Sequence, residues 1–155
     1  VPVVMSALPE SDSRHIHTGF ATAVLGIRKD WRLFQEQDFL LPNDPDLYVP
    51  YLVGRWYVDF DSVRAVTSGY VLIRIRGASR LDAVMRSPDV VEVLESNQPL
   101  PASRMGYDLL YQDGRTSLFP SRPRLYRVAQ NLSDQAEFLF KVPAGFTLYR
   151  LSLEN

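Results

Sequence analysis

His15 and His17 lie two residues apart, so on a strand they would share one face and could offer two nitrogens to a metal ion. The chain has no cysteine and no third histidine, so carboxylates from elsewhere would have to complete such a site. The plainer account is a pair of exposed polar residues, and no metal is expected. The absence of cysteine also excludes disulfides, thiol catalysis and cysteine-ligated zinc. No GxGxxG, Walker A, HExxH, GxSxG or EF-hand pattern is present. Any enzyme built on this chain would work through carboxylates, arginines and hydroxyls, and no cofactor is expected. Arg64, Arg74, Arg76, Arg80 and Arg86 crowd one stretch and could line a phosphate-binding or acidic-partner surface. Asp61, Asp82, Asp89, Glu92 and Glu95 are interspersed among them, which favours a mixed solvated face.

These residues need elements to position them. Residues 1–12 (VPVVMSALPESD) have no periodicity and read as a flexible arm, or as an apolar arm that docks on a neighbour. In 18–39, Phe20, Val24, Ile27, Trp31 and Phe34 repeat at helical spacing, with Thr18 as a cap. Residues 41–46 (LPNDPD) break that helix. LYVPYLV, RWYVDF and GYVLIRIR then read as three strands. Ser79 and Asp82 form a weak capping box, and Leu81, Val84 and Met85 give the stripe of a short helix stopped at Ser87-Pro88. A strand at Val90–Leu94 would close a right-handed parallel βαβ unit. After the extended 97–101, YDLLYQDGRTSLF reads as a hairpin turning at Asp113-Gly114. PRLYRVAQ is another strand, and AEFLFKVPAGFTLYRLSLEN two more, paired through Pro143-Ala-Gly145. The fold class expected is α+β: a ferredoxin-like βαβ core with a mixed or antiparallel sheet and a β-rich C-terminal extension. The divisions expected are an arm at 1–12, an α+β domain at 13–103 and a hairpin-rich extension at 104–155.

The bulk properties agree with a folded, binding-type chain. At 155 residues with 46% hydrophobic and 12% aromatic content, it can bury a sizeable core. A net charge of −1 gives no general attraction to nucleic acid, which is not expected as the sole partner. No apolar run reaches the roughly 20 residues of a membrane span, so no membrane association is expected and a cytoplasmic location is. Val1-Pro2-Val3 without Met is what a processed or trimmed chain shows, and no signal peptide is read.

Two family resemblances add function. Thr18-Gly-Phe-Ala, Leu47-Tyr-Val-Pro50, Gly69-Tyr-Val-Leu-Ile and the run from Leu81 through Ser103 appear in order and at spacings close to the N-terminal domain of NusG-type transcription elongation factors. The chain resembles that domain over roughly residues 14–103. The family's aromatic-Pro before Gly-Tyr is replaced by Val66-Thr67-Ser68, and beyond residue 107 no KOW-type pattern follows. The resemblance implies a non-catalytic binding protein that docks on RNA polymerase. Its partner contact would be Tyr70, with Phe20 and Pro50 as neighbours. Separately, Gln135-Ala-Glu137 and the following hairpin resemble the Gln-x-Glu strand of ADP-ribosyltransferase toxins. That would make Glu137 the stabiliser of an oxocarbenium-like ribose and Gln135 the residue orienting the acceptor. Thr67-Ser68 is a poor match for that family's Ser-Thr-Ser strand. A third expectation is an assembly or virion-type structural subunit, in which a ferredoxin-like βαβ module with a β-rich tail and an apolar N-terminal arm forms homo-oligomers.

Overall fold

The structure is a computed structural model that describes residues 13–17 (backbone only), 32–132 and 134–154. It overturns the α+β expectation. Among the described residues, thirteen strands build a single antiparallel sheet curled into a half-barrel, and the helical content is one 3-10 turn, Ala102–Arg104.

The strands are β1 (Ser13–His17), β2 (Gln35–Phe39), β3 (Tyr51–Val58), β4 (Val63–Ala65), β5 (Gly69–Arg76), β6 (Arg80–Arg86) and β7 (Val91–Glu95). They continue as β8 (Gln98–Pro99), β9 (Leu110–Gln112), β10 (Arg115–Leu118), β11 (Arg124–Ala129), β12 (Gln135–Val142) and β13 (Thr147–Glu154). Two corrections concern helices. Residues 35–39, expected at the end of a helix, are strand β2; the earlier part of that helix lies outside the described residues. The expected helix at 79–86 is β6, in which Leu81, Ala83 and Met85 alternate into the core. No parallel crossover remains: β6 and β7 lie in different lobes, and each named pairing is antiparallel. A third correction concerns the C-terminal strands. β12 runs between β5 and β7, while β13 runs beside β6, so Pro143-Ala-Gly145 crosses between lobes instead of closing a hairpin.

The order of the sheet is informative. Eight strands, β4, β5, β6, β7, β10, β11, β12 and β13, divide equally between two lobes. One lobe runs β4-β13-β6-β11 and the other β5-β12-β7-β10. Numbered along the chain those orders are 1-8-3-6 and 2-7-4-5, the double Greek key of a jelly roll. β3 joins the lobes, pairing with β4 through Trp56–Val58 and with β5 through Tyr51–Val53. Gly54 makes the bend between those halves, its φ of 108° being open to glycine and costly for other residues.

The core fills the space between the lobes. Ile73, Ile75, Phe138 and Phe140 from one lobe meet Leu81, Met85, Leu151 and Leu153 from the other. Trp56 anchors the junction: fully buried, it donates its indole N–H to the Val53 carbonyl at 3.1 Å and meets Phe146 edge-on at 6.1 Å.

The two outer edges differ. β11 is sealed by the loop before β9, where Gly106 N–H donates to the Val128 carbonyl at 2.8 Å and Asp108 N–H to the Arg127 carbonyl at 3.1 Å. Gly106 allows that approach, since a Cβ there would lie 2.4 Å from the Arg127 oxygen. β9, at the other end, pairs only with β10 among the described residues.

Candidate functional site

Directly opposed residues in antiparallel strands place their side chains on one face. Tyr70 on β5 opposes Lys141 on β12, Lys141 opposes Glu92 on β7, and Glu92 opposes Ser117 on β10. The alternate residues Val71, Phe140, Val91, Val93 and Leu118 are buried, so this row lies on the outer face of its lobe. Four connections rise around it: Ser68 before β5, Asp89-Val90 before β7, Asp113 after Gln112 at the end of β9, and Pro143 after β12. Together they enclose an open hollow of about 770 Å³.

The floor is a mixed-charge strip. Lys141 Nζ lies 4.0 Å from Glu92 Oε1, and Arg115, Asp89 and Asp113 complete the rim. Tyr70 is 41% exposed and presents an aromatic ring at one side. The Asp113-Gly114 turn has φ of 54° and 74°, both positive as a type I′ hairpin requires. The turn expected from sequence is therefore present, and it carries the hollow's far rim.

A second cluster lies further along the same face. Arg74 Nε donates to Glu137 Oε2 at 2.6 Å and its Nη1 to Asp44 Oδ1 at 3.2 Å, while Arg76 Nη2 donates to Gln135 Oε1 at 3.2 Å. The hydrogen bond to Glu137 is the chief cause that raises the Arg74 pKa. The structure thus brings Glu137 and Gln135 together, each facing an arginine. A carboxylate already neutralised by a guanidinium has less charge to lend to an oxocarbenium-like ribose.

The other sequence-derived candidates separate. Tyr70 is exposed, Pro50 is buried before β3, and Phe20 lies outside the described residues, as do the side chains of His15 and His17. The five arginines divide between lobes. Arg74 and Arg76 take the partners above, Arg80 pairs with Asp82 and Glu154, and Arg64 stacks over Tyr57 at 5.0 Å. Arg64 and Arg86 flank Thr147 in one cross-strand row. The described residues hold no group of histidines and carboxylates set to bind a metal.

Sequence reasoning did not single out Lys141, Ser117, Asp113 and Arg115 as site residues. Alternation in 135–142 shows that Lys141 faces outward, but its neighbours depend on pairings with β5 and β7, some 50–70 residues away. That register leaves no local signal.

The final feature is β9 itself. Leu110, Tyr111 and Gln112 are all exposed, so among the described residues this strand lacks cover on both faces as well as along its outer edge. In a hairpin closed by a two-residue turn, the flanking pair exchanges both hydrogen bonds and the next pair none. Gln112 and Arg115 flank the turn, so Tyr111, opposite Thr116, directs its N–H and C=O away from β10. Tyr107, on the loop that leads to β9, and Phe119, directly after β10, are also exposed.

These features define a jelly-roll module with a polar hollow on one lobe and, among the described residues, an open edge at β9. Compared with known proteins, the chain matches no family model and no curated protein. Among the described residues, no helix is long and apolar enough to cross a membrane.

Proposed function

We propose that the protein is a non-catalytic assembly subunit, a jelly-roll building block that pairs with a second copy of itself through β9. The observation that carries this reading is β9, which among the described residues is exposed on two faces and one edge, with no charged residue and no proline along it. Natural sheet edges are usually guarded by such residues or by covering loops, and β11 is covered in that way. Two copies of β9 related by a two-fold axis at Tyr111 would satisfy that residue's N–H and C=O reciprocally. Leu110 would then face Gln112, Leu109 would face Asp113, and Asp108 would face Gly114, so no like charges oppose each other. Jelly rolls serve as capsid subunits and also as lectins and cupins, so the edge, and not the fold alone, supports assembly.

The test is sedimentation of the full chain across a concentration series. Dimers or larger species at micromolar concentration, reduced to monomer in Leu110→Lys/Tyr111→Lys, are expected. A wild-type chain that stays monomeric throughout would overturn the reading. Docking on RNA polymerase, with Tyr70 as the contact, is the competing proposal; Tyr70 is exposed, but the helix expected at 79–86 is strand β6. Co-migration with polymerase that is lost in Tyr70→Ala would favour it. NAD turnover that disappears in Glu137→Gln would show catalysis instead.

A further inference from the structure

The hollow on the outer face of β5, β12, β7 and β10 is not needed for pairing at β9. Its chemistry selects a particular kind of ligand. Three carboxylates (Asp89, Glu92, Asp113) and two cations (Lys141, Arg115) face it, so the lining is mixed in sign and close to neutral. A phosphate or sulfate would gain from the cations but meet the carboxylates at short range, as would an acidic peptide. A cationic ligand would meet the reverse conflict. A neutral ligand bearing many hydroxyls meets neither, because each hydroxyl both donates and accepts. It can donate to Asp89, Glu92 and Asp113 while accepting from Lys141, Arg115 and Ser117.

Shape and surface point the same way. At about 770 Å³ the hollow is open and as large as many small-molecule sites. Tyr70 places an exposed ring at its edge. An aromatic face is electron-rich, and the axial C–H groups of a pyranose carry partial positive charge, so a sugar ring stacks there without losing a hydrogen bond. The polar floor is held by strand pairing: Tyr70, Lys141, Glu92 and Ser117 occupy one register row of four strands, so little ordering is required on binding.

The geometry points to a binding site for a neutral oligosaccharide, stacked on Tyr70 and hydrogen-bonded by Glu92, Asp113, Lys141 and Arg115. Pairing at β9 would set Gln112 and Asp113 of the rim opposite a second copy, while Tyr70, Lys141 and Glu92 lie on other strands, so the site is read apart from assembly in Leu110→Lys/Tyr111→Lys.

The probes are maltotriose, cellotriose and triacetylchitotriose, each titrated to about 10 mM against the isotope-labelled full chain, with inorganic phosphate as the charged control. At least one trisaccharide should shift the amides of Gly69, Ser117 and Lys141. Tyr70→Ala should weaken that sugar roughly threefold to tenfold, the range of one stacking contact, while Tyr70→Phe should bind as the wild type does. Absence of shifts with all three sugars would overturn the proposal. So would equal binding by Tyr70→Ala, or shifts from phosphate alone. Should Tyr70→Ala fail to fold, the positions of the wild-type shifts decide: shifts confined to residues outside the hollow would overturn it.

Discussion

Gly69 offers the sharpest test of how the lobes join. It opens β5 beside the Val53 carbonyl, and a Cβ built there would lie 2.3 Å from that oxygen and 3.4 Å from the Trp56 indole nitrogen. Its φ is outside the left-handed region, so alanine is tolerated by the backbone and the conflict is purely steric. Ordinary contact requires β3 and β5 to separate by about 1 Å. The same carbonyl accepts the buried Trp56 N–H, so separation weakens that bond too. Overpacking costs about 1–3 kcal/mol and a weakened buried hydrogen bond about 1–3 kcal/mol. The gain from a stiffer unfolded chain is only about 0.4–1 kcal/mol, so destabilisation wins. Gly69→Ala should therefore lose about 1–5 kcal/mol, set against the roughly 5–15 kcal/mol typical of a domain. Urea unfolding followed by Trp fluorescence reads this as a lowered midpoint, and each kcal/mol should lower Tm by about 2–4 °C. A midpoint within error of the wild type would refute the close packing of β3 on Gly69.

Two other substitutions probe buried polar groups. Thr116 is fully buried, its hydroxyl donating to the Val93 carbonyl at 2.6 Å and accepting from Leu100 N–H at 3.2 Å. Thr116→Val keeps the shape but strands both backbone groups, so a loss of about 1–3 kcal/mol is expected from the urea midpoint. Asp82 is buried on β6 with one oxygen on Arg80 and Oδ1 unpartnered, and desolvation by burial raises its pKa above the ordinary 3.8. A raised folded pKa gives a contribution fully present below 3.8 and lost as pH climbs through the folded value. Asp82→Asn has no charge to bury, so its stability relative to wild type should improve over that rise and level off above it. A difference that stays constant from pH 3 upward would contradict the buried charge.

Much of the strand inventory was legible. GYVLIRIR is β5 from end to end, and Asp113-Gly114 signals its hairpin because few dipeptides accept two positive φ angles. The β6 segment was misread because seven residues are too few to separate the periods: Leu81 and Met85 suit a helical stripe and an alternating strand alike. Half-buried Val84 on the opposite face completed the false stripe. What decides in favour of a strand is pairing with β11 and β13, which a local pattern does not contain. The same non-locality hid the hollow. Tyr70 was identifiable, yet its partner Lys141 is joined to it only through the β5–β12 ladder.

Pairing of copies through β9 is read from amide hydrogen exchange at Tyr111, followed as protein concentration rises. Fast exchange in dilute monomer and progressive protection of Tyr111 as copies pair are expected, with Leu110→Lys abolishing the concentration dependence. Exchange at Tyr111 that stays fast at every concentration would contradict pairing through β9.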